Sequence, residues 1–349
     1  MTDERPIRVL YIGGEGRSGS TILDYQLGDL LDGFSGGEIR FLWERSLRQN
    51  RPCSCGVPFR DCSFWQAVGR EAFGGWERVD IEEVVRLWQG VNRLRFIPKA
   101  LLSPKGSLLR KGVGIGNTSS EYFAPQQKGW ARFIEILNRL YRAIAVVSGA
   151  KAIIDSSKDF RYACLLRLVP SLDIYIVHLV RDARGVAYSW LRSAQKANGS
   201  PKHTPVETAL RWVIHNLAFE MLPLFHRNVL RIRYEDFATN PAGTLRLISD
   251  WVFDTQPHLK TANASSPTAE AATRCSALEK HMVSGNRVRF NRISMEEVKL
   301  DQEWLNAMGL PQRAAVTLFS LPLLAKYGYI GRDFSGGQTT VSGREISHG

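Results

Sequence analysis

The stretch IRVLYIGGEGRSGSTILDYQLG, Ile7 to Gly28, restricts the fold more than any other part of the chain. A short β-rich apolar run ends in glycines. It is followed at once by Ile22, Leu23, Leu27, Leu30 and Leu31 at helical spacing. A strand, a tight loop and a helix in that order turn the backbone N–H groups of Glu15 to Thr21 toward the open end of the helix. There the unpaired donors and the helix dipole favour an anion. The spacing is that of a phosphate-binding P-loop: Gly14, four residues, Gly19, then Ser20 and Thr21. A nucleoside triphosphatase would carry lysine where this chain has Ser20. The loop's cation is instead Arg17, whose planar fork suits bidentate contact with a phosphate or sulfate.

Three more segments repeat the strand-then-helix order. KAIIDSS (Lys151 to Ser157), LDIYIVHLVRD (Leu172 to Asp182) and NVLRIRYED (Asn228 to Asp236) read as strands. The helical patterns YACLLRLV, GVAYSWLRSAQK and PAGTLRLISDWVF follow them in turn. Such alternation predicts an α/β fold, a three-layer α/β/α sandwich with a central parallel sheet of the P-loop NTPase-like kind. Ligands in such sheets lie beyond the carboxyl ends of the strands. Gly33, Gly36 and Gly37 end the first helix, and EIRFLWERSLRQ predicts another from about Glu38. Residues 63–150 read as a mainly helical insertion, with IEEVVRLWQGVNRL and WARFIEILNRLYRAIAVV its clearest amphipathic segments. No Pro/Ser-rich linker sets it apart, so residues 1–332 are expected to form one domain with the insertion covering the acceptor site. Residues 333–349 lack apolar periodicity and read as a disordered tail.

At 349 residues and 44% hydrophobic, the composition is that of an ordinary globular protein. The opening MTDERPIRVLYIGG carries acidic residues and runs straight into a strand, and no apolar run reaches the length of a membrane span. Neither a signal peptide nor a transmembrane segment is expected, and the expected compartment is the cytoplasm. A net charge of +12 favours anionic partners. Basic residues are spread without a long run and no zinc-finger or RNA-binding signature is present, so nucleic acid is not expected. Cys53, Cys55 and Cys62 cluster in PCSCGVPFRDCSFW. A zinc site would need a fourth ligand and no histidine lies nearby in sequence, so no metal is expected. A loop-packing or redox-labile role is expected for these cysteines instead, and whether they pair is open.

The loop GGEGRSGSTILDYQLG resembles the 5′-phosphosulfate loop of sulfotransferases that use 3′-phosphoadenosine 5′-phosphosulfate (PAPS), and IVHLVRDARGVAYSWLRS resembles their 3′-phosphate segment. In that family an arginine and, eight residues on, a serine hold the 3′-phosphate, and Arg181 and Ser189 have that spacing. The resemblance extends from about Ile7 to Asn306 and leaves the helical insertion unmatched. It implies that Gly16, Arg17, Ser18, Gly19, Ser20 and Thr21 bind the donor PAPS together with Arg181 and Ser189, releasing 3′-phosphoadenosine 5′-phosphate (PAP) as product. A looser likeness in HMVSGNRVRFNRISMEEVKLDQEWL adds Arg287 and Arg289 as residues closing over the 3′-phosphate. A solvated basic face is the alternative for that pair.

Sulfuryl transfer needs in-line positioning, charge stabilisation on the departing diphosphate and removal of the acceptor proton. GGEIRFLWE is similar to the G-E-x-R stretch of tyrosylprotein sulfotransferases, which implies Glu38 as the base, held by Arg40. The alternative for Glu38 is a carboxylate complementing a helix start. Lys158, just past a strand end, matches the lysine that such enzymes place against the bridging oxygen. Cytosolic aryl and steroid sulfotransferases carry a catalytic histidine near this loop and this chain has none there. His178 lies within a strand, where a buried, satisfied histidine is expected. Asp155 is as readily structural as catalytic. Trp65, Trp76, Trp88 and Trp130 could stack on a ring, although tryptophans at helical spacing commonly form core. The expected activity is therefore transfer of a sulfuryl group from PAPS, without a metal, to a hydroxyl or amine of a carbohydrate, lipid, phenolic or peptide acceptor. The acceptor's identity and the oligomeric state are open. The alternatives are a nucleotide or sugar kinase with a degenerate P-loop and a basic, non-enzymatic polyanion-binding protein.

Overall fold

A computed structural model describes residues 5–91, 125–196, 203–253, 280–291, 295 and 298–331. The tail expected at 333–349 and the middle of the insertion, 92–124, lie outside the described residues. Five strands form the sheet: β1 (Ile7–Gly13), β2 (Phe34–Ser35), β3 (Ile153–Lys158), β4 (Leu172–Val180) and β5 (Val229–Arg233). Their order is β2-β3-β1-β4-β5, and every pairing is parallel. Three of the four longer strands match their expected spans within two residues at each end, and β5 is the shortened core of its segment. The two-residue β2 carries no periodic signal of its own. It exists because Phe34 and Ser35 lie alongside Ile153 and Ile154.

The strand alternation makes both faces apolar. Val9, Tyr11, Ile153, Ile174 and Ile176 point into one core, and Leu10, Ile12, Ile154, Val177 and Leu179 into the other. The second face is covered by α1 (Ser20–Leu30) with helices that follow β5. The first is covered by α2 (Ser63–Phe73), α3 (Ile81–Val91), α4 (Pro125–Ser148) and α5 (Phe160–Leu166). This is the three-layer α/β/α arrangement expected from the sequence. The four tryptophans Trp65, Trp76, Trp88 and Trp130 all lie buried in the first core. The helical insertion therefore shares its core with β1, β3 and β4. A third cluster joins α6 (Ala183–Lys196), α7 (Pro205–Glu220) and, further on, α11 (Leu310–Lys326). Between them in chain order lie α8 (Tyr234–Thr239), α9 (Pro241–Phe253) and α10 (Trp304–Ala307). The helix expected from Glu38 begins there, as a 3₁₀ turn (Ile39–Phe41) running into a wide π-type helix (Leu42–Arg48). Among the described residues no helix is long and apolar enough to cross a membrane.

Candidate active site

β1 occupies the centre of the sheet, so the turn after it, the end of β3 and the end of β4 open on the same edge. Gly13 pairs with Lys158 on one side and with His178 on the other. The loop from Gly14 to Gly19 therefore starts between the lysine and the strand that leads to Arg181.

Two glycines make the loop's path possible. Gly14 has φ +125° and a Cβ there would lie 2.3 Å from the Leu179 carbonyl oxygen; Gly19 has φ +85° and a Cβ there would lie 2.7 Å from the Tyr234 ring. Arg17 adopts φ +70°, a left-handed conformation that a non-glycine residue holds only where its surroundings enforce it. No side chain caps α1; the Ile22 and Leu23 N–H groups donate to the Gly19 carbonyl, and those of Ser20 and Thr21, ahead of them, face the loop uncapped. The buried Ser18 hydroxyl likewise has no partner among the described residues. Together these features form a cradle of unused donors.

Three guanidiniums converge on that cradle. Arg17 donates to Ser193 Oγ and stacks on Trp190 at 4.7 Å. Arg181 donates to the Arg17 carbonyl at 2.9 Å and covers Tyr234 at 4.5 Å. Burial, with Arg192 and Arg181 close by, holds the Arg17 guanidinium below its ordinary value. Ser193 Oγ in turn donates to the Ser189 carbonyl at 2.8 Å, and Ser189 is itself buried. The structure thus gathers Arg17, Arg181 and Ser189 into one basic group, adding Arg192, which the motif had not indicated. Arg192 lies three residues after Ser189 on α6, a spacing that puts both on one helix face. Asp301 bridges Arg181 at 3.1 Å and Arg192 at 2.9 Å.

On the β3 side, Lys158 ends its strand at φ +67°. Its ammonium lies 2.6 Å from Glu38 Oε1 and donates to the Ser156 carbonyl at 2.9 Å. Burial alone would raise the Glu38 carboxyl, but Lys158 above all, with Arg45 and Arg40, holds it below the usual carboxylate range. Arg40 was expected to hold Glu38. Its guanidinium instead stacks on Phe41 at 3.8 Å and faces Asp159 at 3.7 Å, while its backbone N–H donates to Ser157. The direct arginine contact to Glu38 comes from Arg45, at 3.4 Å, which also donates to Ser284 Oγ at 2.9 Å. Arg45 follows Glu38 by seven residues, two helical turns, but the π-type widening hides that relation from an ordinary helical count.

The two halves meet at Gly285. A Cβ on it would lie 3.9 Å from Thr21 Oγ1 and 4.0 Å from Glu38 Cγ, so this residue fills the space between the anion loop and the carboxylate. Arg289 donates to the carbonyls of Gly285 at 2.8 Å and Pro52 at 3.3 Å, on the Glu38 side and apart from the contacts of Arg181. Arg287 opens the short turn Arg287–Phe290, and its side chain lies outside the described residues.

Asp155, which would have to serve as a magnesium ligand in a P-loop kinase, is fully buried. Its carboxylate accepts from Tyr141 at 2.5 Å and from the Ser157 backbone at 2.9 Å, and burial pushes it up to about 6. With the lysine position taken by Ser20, the machinery that would hold a magnesium-bound triphosphate is missing from the loop. His178 is the buried, satisfied histidine expected, 2.8 Å from Asn216 Oδ1 and pushed down to about 4 by burial. Asp24 was not singled out from the sequence. It sits on the buried side of α1 and accepts from Ser156 Oγ at 2.6 Å and from the Gly37 N–H at 3.1 Å, which fixes the Glu38 loop to the first helix.

Fold and site together define an α/β protein with an anion cradle at the central strand-to-helix turn and a carboxylate–lysine pair beside it. Neither a protein-family model nor a curated protein matches the sequence. Among solved structures the chain is similar to the sulfotransferase domain of the Synechococcus PCC 7002 olefin synthase, with 18% identity, a TM-score of 0.48, and 94% of this chain and 97% of that one covered. It is also similar to the sulfotransferase domain of the curacin biosynthetic pathway, at 16% identity and TM-score 0.46 over 91% of this chain and 98% of that one. A third similar structure is the sulfotransferase STF9 from Mycobacterium avium, at 14% and 0.41 over 93% of this chain and 78% of that one.

Proposed function

We propose that the protein is a sulfotransferase that transfers a sulfuryl group from PAPS to a hydroxyl or amine of its acceptor. The observation that carries this is the 2.6 Å Lys158–Glu38 pair set beside an anion loop whose cation is an arginine. The residues present fit the donor: the unpartnered Ser18 hydroxyl, the uncapped start of α1 and the close approach of backbone at Gly19 suit a tetrahedral oxyanion. When bound, PAPS supplies the sulfuryl group and a diphosphate leaving group. The N–H groups of Gly16 to Thr21 and Arg17 would hold its 5′ end, and Arg181 and Ser189 its 3′-phosphate.

Within this scheme Lys158 supplies a positive charge where the leaving oxygen gains negative charge. Glu38 takes the acceptor proton. Its depressed proton affinity keeps it ionised at neutral pH, so a base is always present, and Arg45 and Ser284 restrain its second oxygen. The other residues orient: Asp24 holds the Gly37 backbone and Asp155 holds Ser157, on either side of the pair.

The test is acceptor-dependent release of PAP from PAPS, measured over a panel of phenols, sugars and amines with no divalent ion added. Release that requires an acceptor is the expected result. Phosphoryl transfer from ATP with magnesium, in the absence of PAP release, would overturn the proposal.

A further inference from the structure

The cysteine cluster finds a fourth ligand that its own sequence neighbourhood lacks. Cys53, Cys55, Cys62 and His281 bring their three sulfurs and one ring nitrogen within 4.8 Å of one another. His281 lies 219 residues beyond Cys62, which is why no local motif reveals it. We propose that these four residues form a structural zinc site.

The geometry is that of a tetrahedron. With metal–sulfur bonds of about 2.3 Å and a metal–nitrogen bond of about 2.0–2.1 Å, ligand-to-ligand edges are about 3.8 Å for two sulfurs and about 3.6 Å for sulfur and nitrogen. Cys55 Sγ and Cys62 Sγ are 3.8 Å apart; His281 Nδ1 is 3.6 Å from Cys53 Sγ and 3.3 Å from Cys62 Sγ. All three cysteines are free thiols, and the 3.8 Å separation is far longer than a disulfide bond of about 2.05 Å.

The surroundings are arranged for thiolates. The backbone N–H groups of Cys55, Val57 and Trp65 point at the sulfurs of Cys53, Cys55 and Cys62 respectively. A tight turn, with the Gly56 N–H donating to the Cys53 carbonyl at 2.9 Å and Gly56 at φ +89°, folds Cys53 and Cys55 to one side. The imidazole lies flat on Phe64, ring centroids 4.8 Å apart and planes 4° from parallel, which fixes the direction of Nδ1. Outside the ligands, Trp65 Nε1 donates to the His281 carbonyl at 2.9 Å, and Ser54 accepts from the Met282 N–H at 2.8 Å. Arg289 stands close enough to Cys53 to offset the excess negative charge of three thiolates around a divalent cation.

On binding, each of the three thiols would give its proton to solvent and the imidazole would bind neutral through Nδ1. Four protein ligands leave no open coordination position, so the ion would serve structure and not chemistry. What it would secure is visible in the chain: the Val283 N–H donates to the Gly36 carbonyl at 3.0 Å, and the Glu38 N–H donates to the Val283 carbonyl at 3.0 Å. The site therefore clamps the segment carrying Gly285 against the loop carrying Glu38. The four ligands would hold the ion whatever group the active site transfers.

The experiment is metal analysis of the full chain purified without chelators, expected to give about one zinc per chain. Loss of that zinc is expected in Cys55→Ser and in His281→Ala. Because a variant can lose metal by failing to fold, the wild-type chain is also exchanged with cobalt(II). Thiolate-to-cobalt charge-transfer bands and the intense visible bands of a tetrahedral centre are expected. A wild-type chain that carries no zinc and takes up cobalt without those bands would overturn the proposal, as would full zinc retention in folded Cys55→Ser.

Discussion

At the scale of single residues, the site depends on a few side chains held in uncommon conformations. Arg17 and Lys158 both have left-handed backbones, at φ +70° and +67°; Arg17 turns to Ser193 and Trp190, and Lys158 to Glu38. Glu38→Gln keeps the side chain's size and its reach to Arg45 and Ser284 while abolishing the charge that pairs with Lys158. The expected outcome is unchanged affinity for PAP and a turnover lower by about 10²–10⁴-fold, the range for loss of a general base. An unchanged turnover would take Glu38 out of the mechanism. The likeness to sulfotransferase motifs pointed to Glu38, Lys158, Arg181 and Ser189, and the P-loop spacing to Arg17; all but Ser189, which lies on α6, are within a few residues of a strand end. It named Arg40 beside Glu38; the structure gives the direct ion pair to Arg45, with Arg40 acting on the carboxylate from further away. That choice depends on the winding of a π-type helix, and periodicity does not encode it.

At the scale of elements, the first helix and the Glu38 loop behave as one unit, joined through Asp24. Burial pushes the Asp24 carboxyl up to about 7, with hydrogen bonds from Ser156 and Ser35 opposing and the nearby Asp155 reinforcing. An unfolded aspartate titrates near 3.9, so the folded chain binds this proton more tightly than the unfolded chain does. Its contribution to stability is complete below about pH 4 and is lost as pH rises toward about 7. Asparagine can accept at the same oxygen from Ser156 and Gly37 and has no proton to lose. Asp24→Asn should therefore gain stability relative to the parent as pH rises from about 4 to about 7.5, measured by denaturant unfolding at both ends of that range. A constant difference between the two proteins would show that Asp24 does not titrate there. Such couplings between elements were invisible in the sequence, since Asp24 sits in an amphipathic pattern with nothing to distinguish it. The strand–helix alternation, in contrast, was legible throughout, because its period is written in every element. The two-residue β2 is the exception, being too short to have a period.

At the scale of the whole molecule, the helical cover and the sheet share one core. Phe133 on α4 is 1% exposed and packs against Trp88, in the same cluster as Val9 and Ile153. Phe133→Ala should cost about 3–5 kcal/mol and shift a single cooperative transition. A second transition, moved alone by this substitution, would mean that the cover folds apart from the sheet. The most direct test of the anion cradle is a calorimetric titration of the full chain with PAP in buffer without divalent ions, beside the same titration of Arg17→Ala. Saturable one-to-one binding is expected, weakened in the variant by about 1.5–3 kcal/mol, the contribution of a charged hydrogen bond. Absence of PAP binding in a folded chain that binds ATP only with magnesium would contradict the assignment of this loop.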